Sequence, residues 1–160
     1  MGKENLNKYY QMVQRCIHNL GVDPEQCRGS KPGSWTLNKG SIQVWVDVWY
    51  IEREERSYLQ IMSPVMKVPQ LSREQLFREL LQINDRLFGV AFTVYKDTVW
   101  LKHVRETENL QESEILNTLH RVGNYADQYD DILKEKYDAE RAEDSLIGGS
   151  RAPSEEEPKG

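Results

Sequence analysis

Residues 41–52, SIQVWVDVWYIE, place apolar side chains on both faces of any strand they form. Side chains alternate along a strand, so Ile42, Val44, Val46, Val48 and Tyr50 point one way while Trp45, Trp49 and Ile51 point the other. One face must be the core. The second then needs a cover of its own, because an apolar patch of that size rarely stays in water.

The flanking segments pair naturally with this strand as a three-stranded meander. A tight turn at Lys39-Gly40 sets Leu37 opposite Ile42 and Trp35 opposite Val44. A reversal in Arg53-Glu54-Glu55-Arg56 sets Tyr50 opposite Leu59 and Val48 opposite Ile61. Both hairpins agree on the core face, and a one-residue slip would turn every side chain over. A second hairpin, GVAFTVYKDTVWLKHV, turns at Lys96-Asp97 and sets Val94 opposite Val99 and Phe92 opposite Leu101. These registers gather Trp45, Trp49, Ile51, Tyr58, Met62, Tyr95 and Trp100 on the face away from the aliphatic core. Gln43, Asp47, Gln60 and Lys102 are interspersed among them. Large rings beside a few polar groups have the composition of an interaction surface.

Three helices frame the strands. In NLNKYYQMVQRCIHNLG, Leu6, Tyr9 or Tyr10, Val13, Cys16 or Ile17 and Leu20 recur at three- and four-residue steps, and Gly21 stops the helix. Ser72 with Gln75 forms a capping-box pattern ahead of Leu76, Phe77, Leu80, Leu81, Asn84 and Leu87. The last helix is expected from Asn109, with Glu112 completing a second capping box, and carries Ile115, Leu119, Val122, Ala126, Tyr129 and Leu133. Asp130-Asp131 is expected on its exposed side, near Lys134 and Lys136. The predicted fold is α+β, an antiparallel five-stranded sheet flanked by helices in the order α-β-β-β-α-β-β-α. Residues 1–138 read as one domain, and residues 139–160, rich in Gly, Ser, Pro and acid, as a disordered acidic tail.

With 21 Lys+Arg against 26 Asp+Glu, a net charge of -5, the chain has no overall electrostatic reason to seek nucleic acid or anionic lipid. No apolar run reaches the roughly 18 residues of a membrane span, and the N-terminal segment lacks a signal-peptide core. Cys16, on a helical stripe, and Cys27, in a polar loop, lack metal or redox spacing and are expected as inert thiols of a cytoplasmic protein.

The segment GSWTLNKGSIQVWVDVW, the strand running into SPVMKVP, the helix SREQLFRELLQINDRLFG and the hairpin AFTVYKDTVWLKHV together resemble the YbjN-type domain family of bacteria. That family is similar in fold to type III secretion chaperones, including those that resemble the Tir chaperone. The likeness spans roughly residues 30–137 and rests on Trp35, Ser63-Pro64, the LLQIND helix end and the long terminal helix. It implies a bacterial cytoplasmic protein, frequently paired into dimers. Members are described as regulators of sensory transduction, and chaperones of this fold bind unfolded stretches of effector proteins. No catalytic residues come with the resemblance.

Nothing in the chain supplies chemistry by motif. His18, His103 and His120 are isolated, no HExxH or Cys/His cluster occurs, and GSKPGS lacks the GKS/T of a phosphate loop. His103, at a strand end opposite Val90, reads as a hydrogen-bonded boundary residue. The expected function is a non-enzymatic protein-interaction module with no cofactor or metal, chaperone-like or regulatory, holding a protein or peptide partner. The alternative is a small-ligand sensor or cryptic enzyme whose pocket joins the same aromatics to His103 or Asp47. Three occupants compete for the aromatic face: the chain's own helix over Leu76 to Leu87, a second copy of the chain, or a foreign partner.

Overall fold

Strong alternation and well-placed turns make the sheet, and the computed structural model describes it within residues 6–137. The reading of residues 139–160 as a tail lies outside the described residues. Helix α1 spans Leu6–Asn19, and a short 3-10 turn at Pro24–Cys27 leads to β1 (Ser34–Lys39), β2 (Ile42–Ile51) and β3 (Arg56–Lys67). Helix α2 (Arg73–Asn84), the hairpin β4 (Ala91–Tyr95) and β5 (Thr98–Glu106), and helix α3 (Glu112–Tyr137) follow. The five strands lie in the order β1-β2-β3-β5-β4, every neighbouring pair antiparallel.

The β4–β5 register is the expected one, with Lys96 and Asp97 both at positive φ in a two-residue turn. The other two hairpins differ. Leu37 faces Val44 and Trp35 faces Val46, because the turn falls at Gly40-Ser41, where Gly40 takes φ +60. Val48 faces Leu59 and Tyr50 faces Ser57, because the loop comprises residues 52–55. Each register is displaced by two residues, an even number, so every side chain keeps its face. Pro64 stands in the central strand just beyond the last β2 pair, Trp45 with Met62, and beside a bulge between Pro64 and Met66. A missing N–H there breaks no β2 ladder bond.

All three helices contribute to one core with the aliphatic face. Val13, Cys16 and Ile17 of α1, Leu76, Leu80 and Ile83 of α2, and Ile115, Val122 and Leu133 of α3 pack with Val46, Leu59, Ile61 and Leu101. Of the three occupants weighed for the aromatic face, the chain's own α2 is therefore overturned: its buried residues belong to the opposite side of the sheet.

Both capping boxes fail in their expected form. Ser72 is left-handed (φ 64) and makes no side-chain cap bond, since an N-cap needs extended backbone for its oxygen to turn back onto the helix. Asn109 is likewise left-handed, and the helix-start contact lies two residues on, where the Gln111 N–H donates to Glu114 Oε2 at 2.7 Å. Glu112 instead binds Arg15 of α1. Asp130 is buried, 3% exposed, rather than solvated, because it sits one turn past the small Ala126 on the core-facing stripe. Cys27 is buried with the core rather than lying in a polar loop.

Burial, reinforced by the Glu112 carboxylate, pushes the Cys16 thiol up from 9.0 to about 11. The unfolded chain releases that proton at lower pH than the folded one, so this contribution to stability is complete below pH 9.0 and is lost as pH rises toward 11. Labelling of Cys16 by a disulfide-exchange reagent at pH 8 should run at least about a hundredfold slower in native than in urea-unfolded protein. Equal rates would show that the α1–α3 contact opens freely.

Candidate functional site

The pleat of β2 and β3 sends alternate residues to the face that no described helix covers. Trp45 pairs with Met62, Asp47 with Gln60 and Trp49 with Tyr58 across these strands, while β5 adds Trp100 and Lys102 and β4 adds Thr93 and Tyr95. All seven residues singled out from the sequence share this face, but at three depths. Trp45, Met62 and Trp100 are buried as a cluster of their own, with the two indoles edge to face at 5.2 Å. Trp49, Ile51 and Tyr58 are half-buried, and the rings of Trp49 and Tyr58 stack at 5.6 Å. Tyr95 is exposed near the β4 edge, and Val104 is exposed on β5.

Between the two aromatic groups lies a polar seam. Asp47 and Gln60 are almost fully buried; Ser34 Oγ donates to Asp47 Oδ1 at 2.7 Å, and Gln60 Nε2 approaches Met62 Sδ at 3.0 Å. Trp45 Nε1 donates to Gln43 Oε1 at 3.2 Å. The buried Nε1–H of Trp49 and the hydroxyl of Thr93 have no hydrogen-bond partner among the described residues. A buried donor without an acceptor is costly.

Asp47 and His103 do not meet. Asp47 is on the aromatic face, whereas His103 pairs with Ile61 on the helix side, where its Nδ1 lies 2.6 Å from the Gly89 carbonyl. The sheet stands between them, so one pocket cannot use both. Among the described residues no group of three His, Cys, Asp or Glu is placed to hold a metal, and no helix is long and apolar enough to cross a membrane.

A second apolar surface was missed. Phe77 (37% exposed), Leu81 (70%) and Phe88 (74%) face water on α2 and just beyond it, with Leu71 before the helix and Val94 on β4 also exposed. The signal was present: at 100° per residue, Leu76, Leu80 and Ile83 form one ridge, and Phe77 and Leu81 form another about a quarter-turn away.

Comparison with known proteins agrees with this architecture. The model of a family described as T3SS (YopN, CesT) and YbjN peptide-binding chaperone 1 matches residues 7–145. A chain of the ExsC–ExsE complex superposes with a TM-score of 0.60 at 16% identity, covering 81% of this chain and 96% of that one. A chain of the HopA1–SchA chaperone–effector complex gives a TM-score of 0.60 at 10% identity, covering 82% and 98%. No curated protein gives a significant match.

Proposed function

We propose, taking as premise that this chain belongs to the T3SS and YbjN peptide-binding chaperone family, that it holds an unfolded stretch of a partner protein against the aromatic face of its sheet. The observation that carries this is the half-buried Trp49, whose partly exposed ring is stacked in place on Tyr58. A fixed ring supplies contact area at little entropic cost. The work is non-enzymatic and cytoplasmic. Regulation of sensory transduction would follow from holding or releasing a signalling partner, with no chemistry of its own.

The test is a tagged pull-down from the native cell extract, read by mass spectrometry, with folded Trp49→Lys as the control. The wild type should retain a partner that the variant loses by at least about tenfold, the effect of removing a central aromatic anchor. Equal retention by both proteins, or recovery of bait alone, would sink the aromatic-face reading.

A homodimer is the second part of the proposal, and α2 rather than the aromatic face is its support. Phe77, Leu81 and Phe88 leave an apolar ridge in water, and symmetric pairing is the commonest way to cover one. Acidic Glu74 and Asp85 and basic Arg78 and Arg86 all lie on or beside the helix.

A further inference from the structure

We propose that the cavity between the end of α1, the β1–β2 hairpin and α3 is a second binding pocket, taking one aliphatic side chain from a partner segment with acidic residues beside it. This rests on the peptide-holding function above but uses the other side of the sheet. The cavity has a volume of about 350 Å³, enough for a leucine-sized group. Leu20, Val22, Leu37, Val44 and Leu119 wall it, and Gly123 of α3 borders it.

Gly123 is the informative residue. Glycine is a poor helix former, and its place inside a helix calls for a steric reason. Gly33 shows such a reason: at φ +82, a Cβ there would come within 2.6 Å of the Tyr10 ring and 2.7 Å of the Val48 carbonyl oxygen. Gly123 has none within the described chain. Its φ is not positive, and a Cβ built on it meets nothing within 4 Å. What the missing side chain leaves is open space along the stripe from Leu119 to Ala126, and that space is the cavity. A visiting side chain from another protein gives the glycine a purpose that the fold does not.

Charge specifies the visitor further. Lys39 and His120 are exposed among the lining residues, beside the neutral Asn38, and no carboxylate lines the cavity. An apolar residue flanked by Asp or Glu complements apolar walls with Lys39 at the mouth, whereas one flanked by Lys or Arg does not.

The test begins with a phage-displayed library of random dodecapeptides selected on the wild-type protein. Enriched clones should carry Leu, Ile or Met with an acid within two positions, and should bind Gly123→Leu at least tenfold more weakly. Gly123→Leu should itself melt at or above the wild-type temperature, since it replaces a poor helix former and fills empty space. The double variant Lys39→Glu with His120→Glu leaves the walls intact and should lose the same clones, which keeps the test valid if Gly123→Leu folds poorly. Clones that bind both variants as well as wild type would overturn the pocket. If they nevertheless fail on Trp49→Lys, the aromatic-face function stands and only this pocket falls. A library yielding no enriched clone would overturn both.

Discussion

Trp100→Ala should destabilise the protein by about 3–5 kcal/mol in urea unfolding, although Trp100 lies on the face that no described helix covers. Its side chain is 2% exposed and packs edge to face on Trp45, in a cluster completed by the fully buried Met62. Truncation removes a large ring from a site bounded by the strand backbones beneath and by Trp45 and Met62 beside it. Neither neighbour can collapse into the gap without losing its own packing. Trp49→Ala on the same face should cost only about 1 kcal/mol, because the ring is half-buried and its loss opens toward solvent. The aromatic face would then divide into a small second core and an outer pair available to a partner. A Trp100→Ala cost below about 1 kcal/mol would remove that division and make all the aromatics equivalent surface groups.

Leu81→Glu, combined with Phe77→Glu, should convert the proposed pair to monomer and weaken self-association by at least about a hundredfold, read by sedimentation equilibrium. Both side chains are on the outward ridge of α2, 70% and 37% exposed, while Leu76, Leu80 and Ile83 on the inward ridge stay untouched. The carboxylates would be solvated in the monomer and desolvated in the pair, so their cost falls almost wholly on association. The helical circular dichroism and melting profile of the diluted protein should be little altered. A wild type that sediments as monomer at high concentration, or a double variant that still pairs, would move the dimer away from α2.

The fold was legible wherever alternation and helical period carried information. The element order, the core face of every strand and the β4–β5 register could all be read from Ile42 to Tyr50, Val90 to His103 and the stripes of α1 and α3. The two displaced registers show why turns are harder than faces. Gly40 tolerates positive φ at either position of a two-residue turn, and the pattern of apolar residues is unchanged by a shift of two. The caps failed for a related reason: Ser72 and Asn109 are residue types that also accept a left-handed backbone, and there they turn the chain instead of closing the helix.

The candidate site was half legible. Its seven residues share a face because period two forces them to, but depth depends on the neighbouring strand, and only pairing sets Trp45 beside Met62 and Trp49 beside Tyr58. Which side of the sheet α2 takes is a matter of connection geometry rather than composition. Leu76 and Phe77 are equally apolar, yet one is buried and the other faces water. Gly123 was silent for the opposite reason, since a glycine in a sequence reports what it lacks only once its surroundings are known.

The place of β3 beside β5 has a consequence for how such a chain emerges from the ribosome. The meander of β1, β2 and β3 can form as soon as Lys67 is out, but β3 gains its other neighbour only after α2 and β4 have been made and Glu106 has followed. Before β5 arrives, β3 stands as an unpaired edge, and before α3 follows, the helix-side face is only partly covered, the features that make partly synthesised chains adhere to one another. A member of a peptide-binding chaperone family therefore passes, during its own birth, through an adhesive and incompletely covered state.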